Sequence, residues 1–272
     1  MLNFDLHNHS LASDGLLAPA ALVKIAARNG CDGFALTDHD TLAGLDEARQ
    51  AAAAVGLRFI QGVEISVTWP DAAADADARA NAIHIVGLGI DPGNAALVGG
   101  LEAIRAGRRE RAARIADDLA RAGIVVTLED ALSHCANPEM IGRTHFARAL
   151  VAKGRVKHLS QAFERYLTRG KPGYVPHRWA QLADAIRWID GAGGIAVLAH
   201  PGRYHLDAAQ VRQLMQDFMT AGGRAVEVVT GSHSPRQVGE FAGHARALGL
   251  YASRGADYHG PGESRFEPGM MP

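Results

Sequence analysis

His7 and His9, one residue apart, with Asp14 five residues further on, form the first group in this chain whose types and spacing can do chemistry. In an extended strand residues i and i+2 face the same side, so two imidazoles at this spacing can close on one cation. A lone His in an apolar run is more often a satisfied core residue; a pair at the end of a strand points to metal ligation. Asp257 and His259 repeat the spacing near the far end of the chain and join a hard oxygen to an imidazole. Between them lie Asp38-His39-Asp40, Glu64 in Gly62-Val63-Glu64-Ile65-Ser66, His84 at the head of His84-Ile85-Val86-Gly87, and His200 before Pro201-Gly202. A carboxylate that closes an apolar run is costly to bury unless paired or metal-bound, and Glu64, with two oxygens, can bridge two cations. Asp38 and Asp40 read equally well as helix caps or as groups that orient His39. His84 sits inside its run rather than after it, so a core His donating to a backbone carbonyl stays open beside the ligand reading.

These residues belong to seven short apolar runs: Phe4 to His9, Gly33 to Asp40, Arg58 to Glu64, Ala82 to Asp91, Gly194 to His200, Ala225 to His233 and Leu250 to His259. Each ends in a His, Asp or Glu, and most are followed by a helical pattern. That rhythm predicts repeated βα units in one parallel sheet, whose post-strand loops converge at a single mouth. Pro19 marks a first helical position, with a helix over 20–29 that stops at Gly30; a second, over 42–55, stops at Gly56. The stretch 71–81, rich in Asp and Ala, is expected to be a variable loop near the mouth. From 97 to 169 the patterns are helical (97–122, 128–135, 143–153 and 158–168), which predicts a helical insertion between the fourth and fifth strands. Gly170-Lys171-Pro172-Gly173 then leads back. The expected organisation is a first barrel part over 1–99, a helical insertion serving as substrate cap over 100–172, and a second barrel part over 173–272. Further helices are expected over 179–192, 207–221 and 235–248.

With 272 residues, 47% of them hydrophobic and 21% charged, the chain can bury a large core without disulfide or metal staples. The two cysteines, Cys31 and Cys135, are far apart and in no CxxC pair, so they are read as reduced thiols. No basic segment with an apolar run opens the chain and no stretch has the length of a membrane span, so a cytoplasmic protein with no membrane partner is expected. Residues 101–178 hold 15 Lys and Arg against 8 Asp and Glu, a surplus of +7 that leaves −8 for the remainder of a chain whose net charge is −1. A positive segment beside a His- and carboxylate-rich mouth suits a small anionic substrate.

Taken in series, His7-Asn8-His9-Ser10 with Ser13-Asp14-Gly15, Thr37-Asp38-His39-Asp40-Thr41, Gly62 to Ser66, Ala199-His200-Pro201-Gly202 and Gly255-Ala256-Asp257-Tyr258-His259-Gly260 resemble the PHP (polymerase and histidinol phosphatase) superfamily over nearly the whole chain. The resemblance implies an α/β fold, a distorted (β/α)7 barrel, that binds two to three divalent metals and hydrolyses phosphoesters. Carried over by position, His7, His9, Glu64 and Asp257 would hold one metal; Glu64, His84 and His200 a second; Asp14, His39 and His259 a third. Manganese is the expected ion, with iron or zinc suited to the same donors. The nucleophile would be a metal-bridging water. The stretch His84 to Asp91, the insertion and Gly173 to His177 are similar to one subgroup, the 3′,5′-nucleoside bisphosphate phosphatases and related 5′-to-3′ exoribonucleases.

The expected reaction is removal of the 3′-phosphate from a 3′,5′-nucleoside bisphosphate, giving the 5′-monophosphate. Exonucleolytic attack on short RNA, a histidinol-phosphate-type phosphomonoesterase and a non-catalytic nucleotide binder are the competing readings. Arg143, Arg178 and Arg203 are the expected substrate contacts, in that order. His233, in Gly231-Ser232-His233-Ser234, would protonate the leaving oxygen or touch phosphate, although helix capping explains that loop equally well. His134, His145, His158, His177, His205 and His244 are read as structural. Arg105, Arg108, Arg109 and Arg111, near Glu102 and Glu110, are read as a solvated, salt-bridged helix face.

Overall fold

A computed structural model of the chain describes residues 2–70, 81–204 and 206–271. The expected variable loop, apart from Asn81, lies outside the described residues, as does His205.

Short apolar runs form the strands: β1 (Phe4–Asp5), β2 (Gly33–Leu36), β3 (Arg58–Trp69), β4 (Asn81–Leu88), β5 (Ala180–Gln181), β6 (Ile195–Leu198), β7 (Ala225–Thr230) and β8 (Tyr251–Gly255). Seven of them run side by side in the order β1-β2-β3-β4-β6-β7-β8, with the two-residue β5 attached to β3. Backbone bonds from Leu6 N to Arg254 O (3.0 Å), His9 N to Tyr258 O (2.9 Å) and Asp257 N to His7 O (2.9 Å) join the first strand's extension to the last, so the sheet closes on itself. Closure has a steric condition. A Cβ on Gly255 would stand 2.2 Å from the His7 Cβ, so only glycine lets β8 pass that close.

The sheet departs from the all-parallel expectation at one strand. β4 pairs antiparallel with β3, from Gly62 opposite Leu88 to Trp69 opposite Asn81, and antiparallel with β6. A parallel return needs a crossover of a dozen or more residues, usually helical, and the stretch between β3 and β4 has no helical pattern. Reversal exchanges the ends of the strand. Asp91, which closes that apolar run, is carried to the opposite rim, where it caps Gly93 N at 2.9 Å. His84, early in β4 and opposite Ser66, is carried to the mouth instead.

Helices cover the outside: α1 (Pro19–Arg28), α2 (Leu45–Val55), α3 (Ala95–Ala106), α8 (Leu182–Gly191), α9 (Ala208–Thr220) and α10 (Pro235–Leu248). The last shows how local sequence sets the ends. The Ser234 hydroxyl caps Gln237 N, Pro235 takes the first turn, and Gly249 closes the helix with a left-handed φ of 66°. Leu22, Phe34, Ile65, Ile85, Ile189 and Phe218 are among the fully or almost fully buried side chains of this core.

Between α3 and β5 come α4 (Arg108–Arg121), α5 (Leu128–Leu132), α6 (Arg143–Ala152), α7 (Leu159–Ala162) and a π-helical turn at Phe163–Leu167. The pattern expected as one helix over 97–122 breaks at Gly107, and the two halves pack differently. Leu97, Leu101 and Ile104 of α3 join the barrel core, whereas Ala112, Ile115 and Leu119 of α4 pack with Phe146, Leu150 and Leu167 in a second core. Among the described residues no helix is long and apolar enough to cross a membrane.

Candidate metal centre

The strand ends bring the nine candidate ligands into one mouth. Asn8 turns its amide into the sheet, donating to Asp5 Oδ1 (3.0 Å) and Ala35 O (3.2 Å), so its neighbours His7 and His9 face the other way, with their Nε2 atoms 3.1 Å apart. Glu64 is the hub. Its Oε1 lies 2.9 Å from His84 Nδ1, 3.0 Å from His200 Nε2 and 3.3 Å from His7 Nε2; its Oε2 lies 2.8 Å from His39 Nδ1 and 3.3 Å from His9 Nε2. Asp257 Oδ1 stands 3.2 Å from His9 Nε2, and Asp14 Oδ1 stands 3.4 Å from His259 Nε2 and 3.9 Å from His39 Nε2. His84, for which a core role stayed open, belongs to this array.

Donor atoms within 4.8 Å of one another fall into overlapping groups: His7, Glu64 and His200; His7, His9 and Asp257; His39, Glu64 and His84; His9, Asp14, His39 and His259. Two observations fit these groups to cations. His39 Nδ1 and His84 Nδ1 approach Glu64 oxygens yet make no aligned hydrogen bond, and His9 Nδ1, His200 Nδ1 and Asp14 Oδ1 are also buried without a hydrogen-bond partner. Buried polar atoms that crowd together without bonding point to a shared third partner. The donor set, imidazole and carboxylate with no thiol, suits divalent cations.

The electrostatics of the array say the same. Burial would raise the Glu64 carboxyl, but His39, His84 and His7 hold it well below the usual carboxylate range. Asp14, against its burial, is held well below by His259 and His39, and Asp257 likewise by His7 and Arg203. His9 is pushed down to about 3 by burial and by the neighbouring His259 and His39; His200 is pushed to about 4, chiefly by burial. His39 goes up to about 9, because Glu64 and Asp14 outweigh burial. Protons and a cation compete for these positions.

The backbone is bent to serve the array. Among the described residues, Asp40 (φ 45°), His200 (φ 27°) and Asp257 (φ 52°) are the non-glycine residues with positive φ, and all three lie at the mouth. Such strain persists where surrounding bonds over-determine it. Asp40 accepts from Ser66 N (2.7 Å), Ser66 Oγ (2.8 Å) and Arg108. Asp38 accepts from Ser10 N (2.7 Å), Ser10 Oγ (2.6 Å) and Ser13 Oγ (2.5 Å), so both aspartates brace ligand-bearing loops.

One carboxylate went unread in the sequence. Glu227, buried in β7, meets His7 Nδ1 with Oε1 at 2.8 Å and accepts the His200 backbone N–H with Oε2 at 2.7 Å. It fixes the His7 ring so that Nε2 faces the centre. The rule that singled out Glu64, a carboxylate in an apolar strand, applies equally to Val226-Glu227-Val228. His233, by contrast, stays outside the array: its Nδ1 lies 2.9 Å from Val228 O and its Nε2 accepts from Gly202 N at 3.0 Å. Both ring nitrogens are engaged by backbone, which ties the turn after His200 to β7.

The cleft over the array is lined from the helical segment by Arg108, Arg111, Arg143 and Phe163, and from the barrel by Trp179 and Arg203. The solvated-face reading of Arg108 and Arg111 is therefore corrected: both are buried, and their guanidinium carbons lie 4.8 and 5.2 Å from the Trp179 ring centre. Arg203 reaches Asp257 Oδ2 at 2.5 Å. Arg111 donates to Val175 O and Arg143 to Leu167 O; among the described residues neither meets a carboxylate within salt-bridge reach. Burial, Arg143 and Arg108 push Arg111 down to about 9. Arg178 does not line the cleft.

A closed α/β barrel with imidazoles and carboxylates gathered at its mouth defines a class of metal-dependent hydrolases. Within that class the chain belongs to the PHP domain family, whose sequence profile matches residues 5–187. A 3′,5′-nucleoside bisphosphate phosphatase of Chromobacterium violaceum is 50% identical over 269 residues, spanning 99% of this chain and 91% of that protein. A 5′-3′ exoribonuclease of Haemophilus influenzae is 42% identical, spanning 95% and 90%. Among solved structures, an amidohydrolase from Chromobacterium violaceum with bound sulfate and no metal superposes with a TM-score of 0.93 at 50% identity, covering 99% of this chain and 91% of that one.

Proposed function

We propose that the protein is a metal-dependent phosphomonoesterase that removes the 3′-phosphate of 3′,5′-nucleoside bisphosphates and leaves nucleoside 5′-monophosphate and phosphate. One observation carries this reading: the array of nine candidate ligands opens into a cleft lined by two guanidinium groups, Arg111 and Arg143, that have no carboxylate partner among the described residues. A buried cation without a counter-charge is costly, and a second phosphate on the substrate supplies that charge.

In this reading His7, His9, Glu64 and Asp257 hold one cation, Glu64, His84 and His200 a second, and Asp14, His39 and His259 a third, with manganese the expected ion. Bound there, the cations supply Lewis acidity toward the scissile phosphoryl group. The chain's own residues do the positioning. Asp257 holds Arg203 at the rim, where its outer N–H groups meet phosphoryl oxygens. Arg111 and Arg143 bind the distal phosphate and thereby set which ester faces the array. Glu227 keeps the His7 proton on Nδ1. The segment 100–172 acts as the cap that carries Arg111 and Arg143, set between barrel parts 1–99 and 173–272. The substrate is a small anionic nucleotide of the cytoplasm.

The relative that acts as an exoribonuclease favours a second reading, in which the same array cleaves short RNA. Initial rates of the manganese-loaded protein on a 3′,5′-bisphosphorylated nucleoside and on a short oligoribonucleotide decide between them. Faster phosphate release from the mononucleotide is expected; no release from it, with rapid cleavage of another ester, rejects the substrate assignment.

A further inference from the structure

The site divides according to what braces it. His7, Glu64 and His200 are held from within the barrel, by strand pairing and by Glu227. Asp14, His39 and His259 stand instead on three loops, after β1, β2 and β8, and each loop is fastened to the helical segment. Arg108 of α4 binds the Asp40 carboxylate and Arg105 of α3 binds Asp40 O at 2.7 Å, next to His39. Arg148 of α6 gathers the other two loops. Its Nε and one terminal nitrogen meet Glu263 Oε1 and Oε2 at 2.8 and 2.7 Å, and the same terminal nitrogen donates to Asp14 O at 2.5 Å. Arg148 is buried, and Glu263 lies four residues beyond His259, whose backbone N–H is held in turn by Ser264 Oγ at 2.7 Å. A bidentate guanidinium–carboxylate pair fixes both distance and angle, so Arg148 adds a side-chain brace to the Asp14 and His259 loops, which also meet through Leu16 N and His259 O at 2.7 Å.

We infer that Arg148 and Glu263 are positioning residues that couple the docking of the helical segment onto the barrel to the assembly of the outer cation group Asp14, His39 and His259. This rests on the reading above that the outer group holds a cation. Neither residue touches the array with its side chain; each acts through the loop it holds. Coupling is reciprocal. If docking builds the outer group, a cation in that group must in turn hold α6 down.

The test uses the full chain, manganese alone as the probe, and the variants R148M, R148K and E263Q. Manganese bound per chain is read by titration, and backbone hydrogen exchange of residues 143–152 is read with and without the ion. In the wild type, manganese is expected to slow exchange in α6. In R148M one manganese site is expected to weaken by about 10–100-fold, the range for lost outer-shell partners of a metal ligand, with the remaining sites unchanged. The effect of manganese on α6 exchange should vanish with it, and R148K should recover part of both. E263Q removes the charge from the other partner and is read in the same way, so an R148M chain that fails to fold does not rescue the inference. Wild-type affinity at every site in R148K and E263Q, or an equal loss at all sites, overturns it. A wild-type chain that takes up no ion at the outer group overturns the cation reading itself, which is a different result.

Discussion

The barrel's inner wall and the helical segment solve opposite problems with the same kind of cost. On the wall, carboxylates and imidazoles are buried against one another, and strand periodicity dictates which of them meet. In the segment, arginines are buried against an aromatic ring and carbonyls, and their spare charge is left facing the cleft. Under the proposed function this is a division of labour: the wall would set what reaction is done, and the segment what is brought to it.

Glu64 meets His7, His9, His39, His84 and His200, so Glu64→Gln should abolish turnover of any phosphoester, by on the order of 10³-fold or more, because under the proposed function it removes a charge that would hold more than one cation and forfeits several kcal/mol of transition-state stabilisation. Phosphate release assays on a mono- and a bisphosphorylated nucleotide should fall equally. Arg111→Met should separate the two substrates: kcat/KM on the bisphosphate drops by about 10–100-fold, the scale of a charge-assisted contact, while the monophosphate is almost unaffected. Equal losses on both would erase the distinction drawn between wall and segment. Glu227→Gln should lower metal affinity by about 10-fold with turnover largely restored at saturating manganese, measured by metal titration beside activity.

A separate effect, on stability rather than on metal or substrate, concerns the segment itself. Burial holds His145, at the first turn of α6, down to about 4. The unfolded chain, with an ordinary imidazole near 6.5, binds that proton first, so the contribution is complete above pH 6.5 and is lost as pH falls toward 4. In metal-loaded protein, His145→Asn should flatten the fall in unfolding free energy across this window by about 2–3 kcal/mol. Parallel pH profiles for the two proteins would contradict the account.

What could be read from the sequence follows the same boundary. Period-two spacing placed His7 with His9 and Asp257 with His259, because a strand admits only two faces. His84 looked misplaced only because its strand was assumed parallel; the sequence before it carries no amphipathic helical pattern of the kind a parallel crossover needs. Glu227 was missed for want of applying the Glu64 rule once more. The helical segment hid more. Its net charge was visible, but the burial of Arg108 and Arg111 depends on α4 lying with Ala112, Ile115 and Leu119 inward, and extending that stripe back by one turn lands on both arginines. Their usual exposure argued against taking that step. Arg148 and Glu263 are 115 residues apart, and no local pattern announces a pair made by docking.

Nine side chains from seven places in the chain are proposed to gather cations at one barrel mouth. Crystals grown with manganese and measured at its absorption edge test it most directly. The account predicts two to three anomalous peaks within coordination distance of Glu64, Asp257 and Asp14; a mouth with no peak, or peaks bound only elsewhere on the surface, would contradict it.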